Sequence, residues 1–325
     1  MRAIRIHAVG GSEVLKYEEA PVPEAGRNEV LVRLRAAAVN RVDILLREGR
    51  LPIGKALPHI LGADGAGAVV RGGGGDARSG DRVLVTGDTL GRLRDGTYAE
   101  YVVVPNSMVV PIPQDMRYED AVAMGTAALA AWQAVVDRGS LVPGQWVLIH
   151  AAGSGVGVTA IQIAKLLGAR VIATAGADSK LDRARKLGAD FAINYTHGDF
   201  AVQVKGITNN RGAEVVIDPV GGEILRRSLE CVAPGGKVVS LGMVAGSEVA
   251  LDLRKLIPRG ISIMGLHAGA LPPYQIADRY RQIGQLITQG RLHPVIDQVL
   301  PLAEAATAHQ LLMQRRHFGK IILRI

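Results

Sequence analysis

Trp146-Val147-Leu148-Ile149-His150-Ala151-Ala152-Gly153-Ser154-Gly155-Val156-Gly157 is the stretch on which the reading of this chain turns. Apolar, β-favouring residues lead into a run of small ones, and Val158 to Gly168 then continues with apolar positions at helical spacing. A buried strand, a small-residue turn and an amphipathic helix in that order form the first half of a Rossmann-type βαβ unit. Gly153, Ser154, Gly155, Val156 and Gly157 are the expected dinucleotide-binding residues. Glycines let the backbone approach a pyrophosphate, whose charge meets free N–H groups and the positive end of a helix starting near Val156. Gly157, deeper in, allows the helix to pack on the strand. The spacing is not the common GxGxxG, and Ser154 stands where a variant pattern would place another glycine. The strand before the motif and the helix after it supply the context that a bare motif lacks.

Outward from this unit the rhythm stays strand, helix, strand. Strands are expected at Trp146 to His150, Arg170 to Thr174, Phe191 to Tyr195, Glu214 to Asp218, Lys237 to Leu241 and Ile261 to Gly265, as a doubly wound parallel six-stranded sheet requires. The second strand tests the choice of cofactor, because NAD sites usually end it with an acid that bonds the ribose 2′-hydroxyl. Here it ends Ala175-Gly176. Asp178 or Ser179 would more naturally cap the next helix, and Lys180 is then placed for a 2′-phosphate, which favours NADPH; a plain surface role for Lys180 is the competing reading. Two later turns, Asp218 to Gly222 with Val220 and Gly221, and Gly242-Met243-Val244, belong at the carboxyl ends of strands, on the nicotinamide side. Gly221 and Gly222 equally suit a helix start.

Up to about Gly125 the sequence reads as short strands joined by Gly, Pro and Asp turns, with Glu29 to Ala36, Gly67 to Val70 and Asp81 to Val85 as examples, a pattern that suits a small antiparallel barrel. Gly72 to Gly75 lies between two strands with no helix after it, so a hairpin loop is expected and not a phosphate loop. Beyond Gly265 come a helix, Pro273 to Thr288, an alternating Val295 to Leu300, a helix from Leu302 to Met313 and a last strand, Lys320 to Ile325. That strand has nothing sequential to pair with and is expected to return to the first domain. The expected division is residues 1–125, 126–265 and 266–325, the last a return to the first domain.

The 325 residues, 48% hydrophobic and 21% charged, suit a folded chain of two ordinary domains. A single cysteine excludes an internal disulfide and every zinc motif built on two or more thiolates. The charge of +8 is spread along the chain with no basic run interleaved with aromatics, so nucleic acid is an unlikely partner. Met1 to His7 alternates like a strand, and no stretch approaches the ~20 apolar residues of a membrane span, so a soluble, cytoplasmic protein is expected.

With Asn40-Arg41-Val42-Asp43, Gly62-Ala63-Asp64-Gly65-Ala66-Gly67, Gly80-Asp81-Arg82-Val83, the turn from Ala151 to Gly157 and Arg316-His317-Phe318-Gly319-Lys320 taken together, the chain resembles the medium-chain dehydrogenase/reductase superfamily over essentially its whole length. Within it the sequence is most similar to the zinc-free NADPH:quinone oxidoreductase, or zeta-crystallin-like, group. That resemblance implies a GroES-like barrel beside the Rossmann domain, and a homodimer paired through the last strand of the nucleotide sheet, Ile261 to Gly265. It also implies that Lys180 and Tyr195 contact the 2′-phosphate, that Gly242 to Val244 and Leu266 to His267 flank the nicotinamide, and that Asn40 faces the reacting ring. Zinc-dependent members carry a catalytic Cys where Asn40 stands and His-Glu where Ala63-Asp64 stands, and Thr86 to Tyr98 lacks the cysteines of their structural zinc. No metal site is therefore expected, and His59, His150 and His267 are read as core or surface residues. Leu45 replaces a Tyr that many zeta-crystallin-like proteins place beside the nicotinamide.

The expected reaction is hydride transfer from NADPH to a quinone or conjugated carbonyl, since negative charge on a delocalised oxygen needs less help than an alcohol oxidation without a Lewis acid. Asn40 is the one catalytic candidate: its amide N–H donates to the developing oxyanion or holds the nicotinamide ribose, or else Asn40 is only a turn cap. A 2-alkenal or enoyl reductase is the alternative within the same superfamily. A low-activity NADPH-sensing or RNA-binding protein is the alternative from another class.

Overall fold

Along Glu29–Ala38 the side chains of Val30, Val32, Leu34 and Ala36 are buried while Arg33 and Arg35 face out, the period-2 pattern of a strand with one wet face. The computed structural model describes residues 1–325, in two units. One unit comprises Met1–Thr126, Gly269–Gly290 and Pro294–Ile325, and the other Ala127–Ala268 with Arg291–His293.

In chain order the first unit contributes β1 (Arg2–Ile6), β2 (Lys16–Glu19), β3 (Glu29–Ala38), α1 (Arg41–Arg47), β4 (His59–Ile60), β5 (Asp64–Arg71), β6 (Arg82–Thr86), β7 (Tyr101–Pro105), β8 (Val109–Pro111) and α2 (Tyr118–Ala123). The helix α3 (Thr126–Trp132) leads into the second unit, with β9 (Trp146–Ile149), α4 (Gly155–Leu166), β10 (Arg170–Ala175), α5 (Asp178–Lys186), β11 (Phe191–Asn194), α6 (Phe200–Ile207), β12 (Ala213–Asp218), α7 (Gly222–Ser228), β13 (Val232–Ser240), α8 (Leu253–Leu256) and β14 (Ser262–Gly265). The chain then forms α9 (Pro273–Thr288), β15 (Ile296–Pro301), α10 (Ala305–Met313) and β16 (Lys320–Arg324).

The strands of the second unit form one parallel sheet in the order β11-β10-β9-β12-β13-β14. The order reverses between β9 and β12, and doubly wound sheets open a ligand crevice at the carboxyl ends of the strands on either side of such a point. Val147, Leu148, Ile149, Val171, Ile172, Val216 and Ile217 are all fully buried, as strands covered on both faces require. Each such side chain contributes about 1.5–3 kcal/mol by leaving water.

The first unit is mainly antiparallel. A seven-stranded sheet runs β15-β16-β3-β5-β6-β8 with β7 also on β3, and β2-β1-β4 form a smaller one. The loop from Gly72 to Gly75 joins β5 to β6 with no helix. The last strand departs from expectation in one respect. β16 pairs antiparallel with β3, but it also has a sequential partner, pairing in parallel with β15 across α10. A βαβ crossover of this kind leaves no local signal of which strands will pair.

Candidate active site

At the end of β9 the chain turns through Ala151, whose φ of 50° lies in the left-handed region. The Ala152 N–H reaches Thr174 O at 2.9 Å and the Ser154 N–H returns to Ala151 O at 2.8 Å. Ser154 then caps α4, its Oγ accepting the Gly157 N–H at 3.0 Å. Helix geometry leaves the amides of Gly155 and Val156 without an i−4 acceptor, and both residues are half-buried. Two amides at the positive end of a 12-residue helix make an anion cradle. The tightest approach is at Gly157, where a Cβ would lie 2.4 Å from Ala151 O.

His150 ties this turn to its neighbours. Ser228 Oγ donates to Ile224 O at 2.7 Å, so at 2.8 Å it accepts from His150 Nε2–H, while His150 Nδ1 accepts from Thr174 Oγ1 at 2.8 Å. Burial pushes the imidazole pKa down to about 3, which fixes it as a neutral bridge between β9, β10 and α7.

The tip of β10 brings Gly176 and Tyr195 together: a Cβ on Gly176 would stand 2.7 Å from the Tyr195 hydroxyl oxygen. Ser179 is exposed and Lys180 half-buried in the first turn of α5. Neither Asp178 nor Ser179 caps that helix as expected. Ala177 is the N-cap, and Asp178 Oδ1 accepts instead from Asn194 Nδ2 at 2.8 Å, across to the end of β11. The turns after β12 and β13 also meet. Asp218 Oδ1 accepts from the amides of Val220 (2.8 Å) and Gly221 (3.1 Å), and the Ala245 N–H reaches Val220 O at 2.8 Å. Burial nonetheless holds the Asp218 carboxyl above the usual range. Gly221 (φ 74°) is the N-cap of α7, so the helix-start reading holds there, and a Cβ on Gly242 would sit 2.1 Å from Pro219 O. Met243 is exposed and Val244 half-buried; Leu266, half-buried, donates its N–H to Ser240 O at 2.8 Å, and His267 beside it is exposed.

In the first unit, Asn40 sits in a buried polar cluster. Its Nδ2 donates to Asp64 Oδ2 at 2.8 Å and to Ala38 O at 3.3 Å, while its Oδ1 accepts from Lys320 Nζ at 2.6 Å. Both amide protons therefore have acceptors within the chain. Asn40 is also the N-cap of α1, its own N–H donating to Asp43 Oδ2 at 2.8 Å. Asp64, fully buried, further accepts from Thr86 Oγ1 (2.7 Å), Thr126 Oγ1 (2.7 Å) and the Thr126 N–H (3.1 Å). Tyr280 OH stands 3.4 Å from Thr86 Oγ1, and burial pushes that phenol well up. Burial lowers the Lys320 pKa, opposed by Asp64 and Asp43.

A second chain of bonds runs from Arg47 Nη1 to His309 Nδ1 (3.4 Å), from His309 Nε2 to the Tyr98 oxygen (3.1 Å) and from Tyr98 OH to Asp43 Oδ2 (2.8 Å). Arginine can only donate, so every later donor in the series is fixed. Burial drives the Asp43 carboxyl up to about 7, and its Oδ1 has no partner. Of these residues, Thr86, Thr126, Tyr280 and Lys320 were not singled out from the sequence. Lys320 alone carried a signal, as the end of the Arg316 to Lys320 motif.

The sequence pattern of zinc-binding dehydrogenases matches residues 155–289, and that of the alcohol dehydrogenase GroES-like domain matches residues 26–114. A quinone oxidoreductase of Pseudomonas aeruginosa is 35% identical over 327 residues, covering 99% of each chain. The chain belongs to the quinone oxidoreductase group of the medium-chain dehydrogenase/reductase superfamily. As a member of that group it is an oxidoreductase enzyme. It is also similar to the crystal structure of an NAD-dependent alcohol dehydrogenase, 41% identical with a TM-score of 0.92 over 100% of both chains. The Escherichia coli quinone oxidoreductase complexed with NADPH is 29% identical with a TM-score of 0.91, again over 100% of both chains.

The turn after β9 in the second unit has the build of a dinucleotide site, while the polar cluster around Asn40 in the first unit does not fit a catalytic zinc. The side chains of Asn40 and Ala63 provide no anionic or imidazole ligand, both oxygens of Asp64 are taken by Thr86, Thr126 and Asn40, and no group of three or more His, Cys, Asp or Glu could hold a metal ion. A separate cleft of about 880 Å³ lies at the amino ends of β9, β10 and β12, the end of the sheet away from the glycine turn. Its charges are engaged locally, Arg170 over the Trp146 ring and Arg211 with Glu214. No helix is long and apolar enough to cross a membrane.

Proposed function

We propose that this oxidoreductase is zinc-independent and NADPH-dependent, and that it delivers hydride to a quinone or a similarly conjugated carbonyl. The observation that carries the reading is the tip of β10, which ends Ala175-Gly176 without a carboxylate and lies beside Tyr195. An acid there would repel a 2′-phosphate; a glycine, a phenol and the nearby Lys180 in α5 accommodate one. Ser154, Gly155, Val156 and Gly157 hold the pyrophosphate, Val220, Gly221, Gly242, Met243, Val244, Leu266 and His267 bound the nicotinamide, and Ser179 lies beside Lys180. The bound cofactor supplies the hydride; the protein supplies binding, orientation and electrostatics.

In this proposal Asn40, held by Asp64, Ala38 and Lys320, faces the reacting ring and positions it. Negative charge formed on a quinone or enone is delocalised, so a site with no Lewis acid serves this chemistry better than alcohol oxidation. We also propose a homodimer paired through β14, an edge strand with β13 on one side only and Ile263 exposed on it.

The 41% identity to an NAD-dependent alcohol dehydrogenase supports a second reading, NAD-linked alcohol oxidation. Steady-state assays decide between them: NADPH and NADH oxidation with 1,4-benzoquinone, 9,10-phenanthrenequinone and 2-hexenal, set against NAD⁺ reduction by primary and secondary alcohols. Turnover of quinones with NADPH is expected. Turnover of 2-hexenal alone would replace the quinone with an alkenal, and alcohol-dependent NAD⁺ reduction alone would overturn the proposal.

A further inference from the structure

We infer that Asp43 is a positioning residue: its carboxylate seats Asn40 through the Asn40 main-chain N–H, so one buried proton, gained or lost, loosens or tightens the residue that holds the reacting ring. The inference rests on the proposed reading only in placing that ring against Asn40.

Asp43 is the third residue of α1, and its Oδ2 accepts the Asn40 N–H at 2.8 Å, the bond that a capping box makes. Unlike a cap at a helix surface, it is fully buried. An uncharged acceptor would serve a cap, and burying a carboxylate is costly, so capping alone does not account for the charge.

The surrounding bonds also fix where a proton binds. Arg47 only donates, so His309 Nδ1 accepts from it at 3.4 Å, His309 Nε2–H donates to the Tyr98 oxygen at 3.1 Å, and Tyr98 OH donates to Asp43 Oδ2 at 2.8 Å. Oδ2 thus holds two donors, while Oδ1 is buried without a partner. A proton taken up by Asp43 goes to Oδ1 and leaves every bond of the series in its direction.

The groups facing Asp43 come from several elements. Burial pushes the Tyr98 phenol, ahead of β7, well up, and burial with the charge of Arg47 pushes His309 in α10 down to about 3, so the one keeps its proton and the other stays neutral. Burial carries the Asp43 carboxyl up to about 7; the Asn40 N–H and the Tyr98 hydroxyl oppose this, Asp64 in β5 adds to it and Lys320 in β16 opposes it. Asp43 therefore changes charge near neutral pH. Ionised, it grips the Asn40 N–H by a charge-assisted bond, roughly twice as strong as the neutral one that remains on protonation. Asp64, Ala38 O and Lys320 keep the Asn40 side chain throughout, so position is lost by degrees and the residue is not released.

Two measurements test this, one without turnover. The Asn40 main-chain N–H, followed by NMR in the full-length protein with isotopically labelled asparagine and no nucleotide, should move with pH about a midpoint near 7 in the wild type. It should stay still in Asp43→Asn, which keeps an acceptor but no charge. In NADPH-driven reduction of 2-methyl-1,4-naphthoquinone, wild-type kcat/KM should fall about tenfold as pH drops through the same midpoint, and Asp43→Asn should show no such limb and stay at the low level. Tyr98→Phe removes a donor to the ionised carboxylate and should move both midpoints to higher pH, a shift that a purely structural role does not produce. A wild-type Asn40 signal that does not titrate, or an acid limb that survives Asp43→Asn unmoved, overturns the inference. A titrating Asn40 signal with no turnover of quinones but the same limb in 2-hexenal reduction supports the role of Asp43 and refutes the quinone reading instead.

Discussion

His150 holds Thr174 and Ser228 with opposite ends of one neutral ring, and that neutrality has a consequence for stability. Its folded pKa of about 3 lies below the ordinary value of 6.5, so the unfolded chain binds the proton more readily. The stability it contributes is complete above pH 6.5 and is lost as pH falls toward 3, at about 1.4 kcal/mol per pH unit for one proton. Denaturant titrations of wild type and His150→Gln at pH 7, 6 and 5 should show the wild type losing stability relative to the variant, by about 0.7 kcal/mol from pH 7 to 6 and about 1.2 kcal/mol from pH 6 to 5; parallel curves would contradict this. Lys320 makes a different prediction. It supplies buried positive charge beside Asp64 and fixes the Asn40 amide, so Lys320→Met should cost about 3–5 kcal/mol in the same titrations, and a loss under 1 kcal/mol would show the cluster to be dispensable. Asn40 was visible in the sequence through its motif, but its saturated amide was not. Its partners lie 24 and 280 residues away, and no local pattern encodes such distances.

At the scale of elements, β9 and α4 meet at Gly157 with no room for a methyl group. A Cβ there would lie 2.4 Å from Ala151 O and 2.9 Å from Ala152 Cα, both backbone atoms that cannot swing aside. Gly157→Ala should therefore lower stability by about 1–3 kcal/mol and weaken NADPH binding at the displaced turn; unaltered thermal melting and affinity would mean that α4 does not pack as described. Elements were the most legible level in the sequence. Strands buried on both faces read as short apolar runs, and the turn after β9 announced itself by its small residues. The pairing of β15 with β16 was not legible because a crossover hides the partner, and the cap of α5 was missed because Asn194, on another strand, draws Asp178 away.

The whole molecule has an edge that the strands alone do not close. β14 leaves Ile263 exposed, and Leu253 and Ile257 in the preceding connection are exposed as well. Ile263→Lys on that edge should convert a dimer to a monomer in sedimentation experiments, whereas a wild-type protein that sediments as a monomer would refute pairing through β14. At this level one cysteine among 325 residues rules out zinc sites built on two or more thiolates from the sequence, while the donors to Asp64 came only from the folded chain.

A phosphorylated dinucleotide held between the turn after Ala152 and the tip of β10 is the premise of every role proposed above. Calorimetric titration of wild type and Lys180→Ala with NADPH and NADH tests this directly. NADPH should bind at least about tenfold more tightly than NADH to the wild type, and Lys180→Ala should erase most of that difference, as loss of a charge-assisted phosphate contact requires. Equal affinity for the two nucleotides in the wild type, or an equal loss of both in the variant, would contradict it.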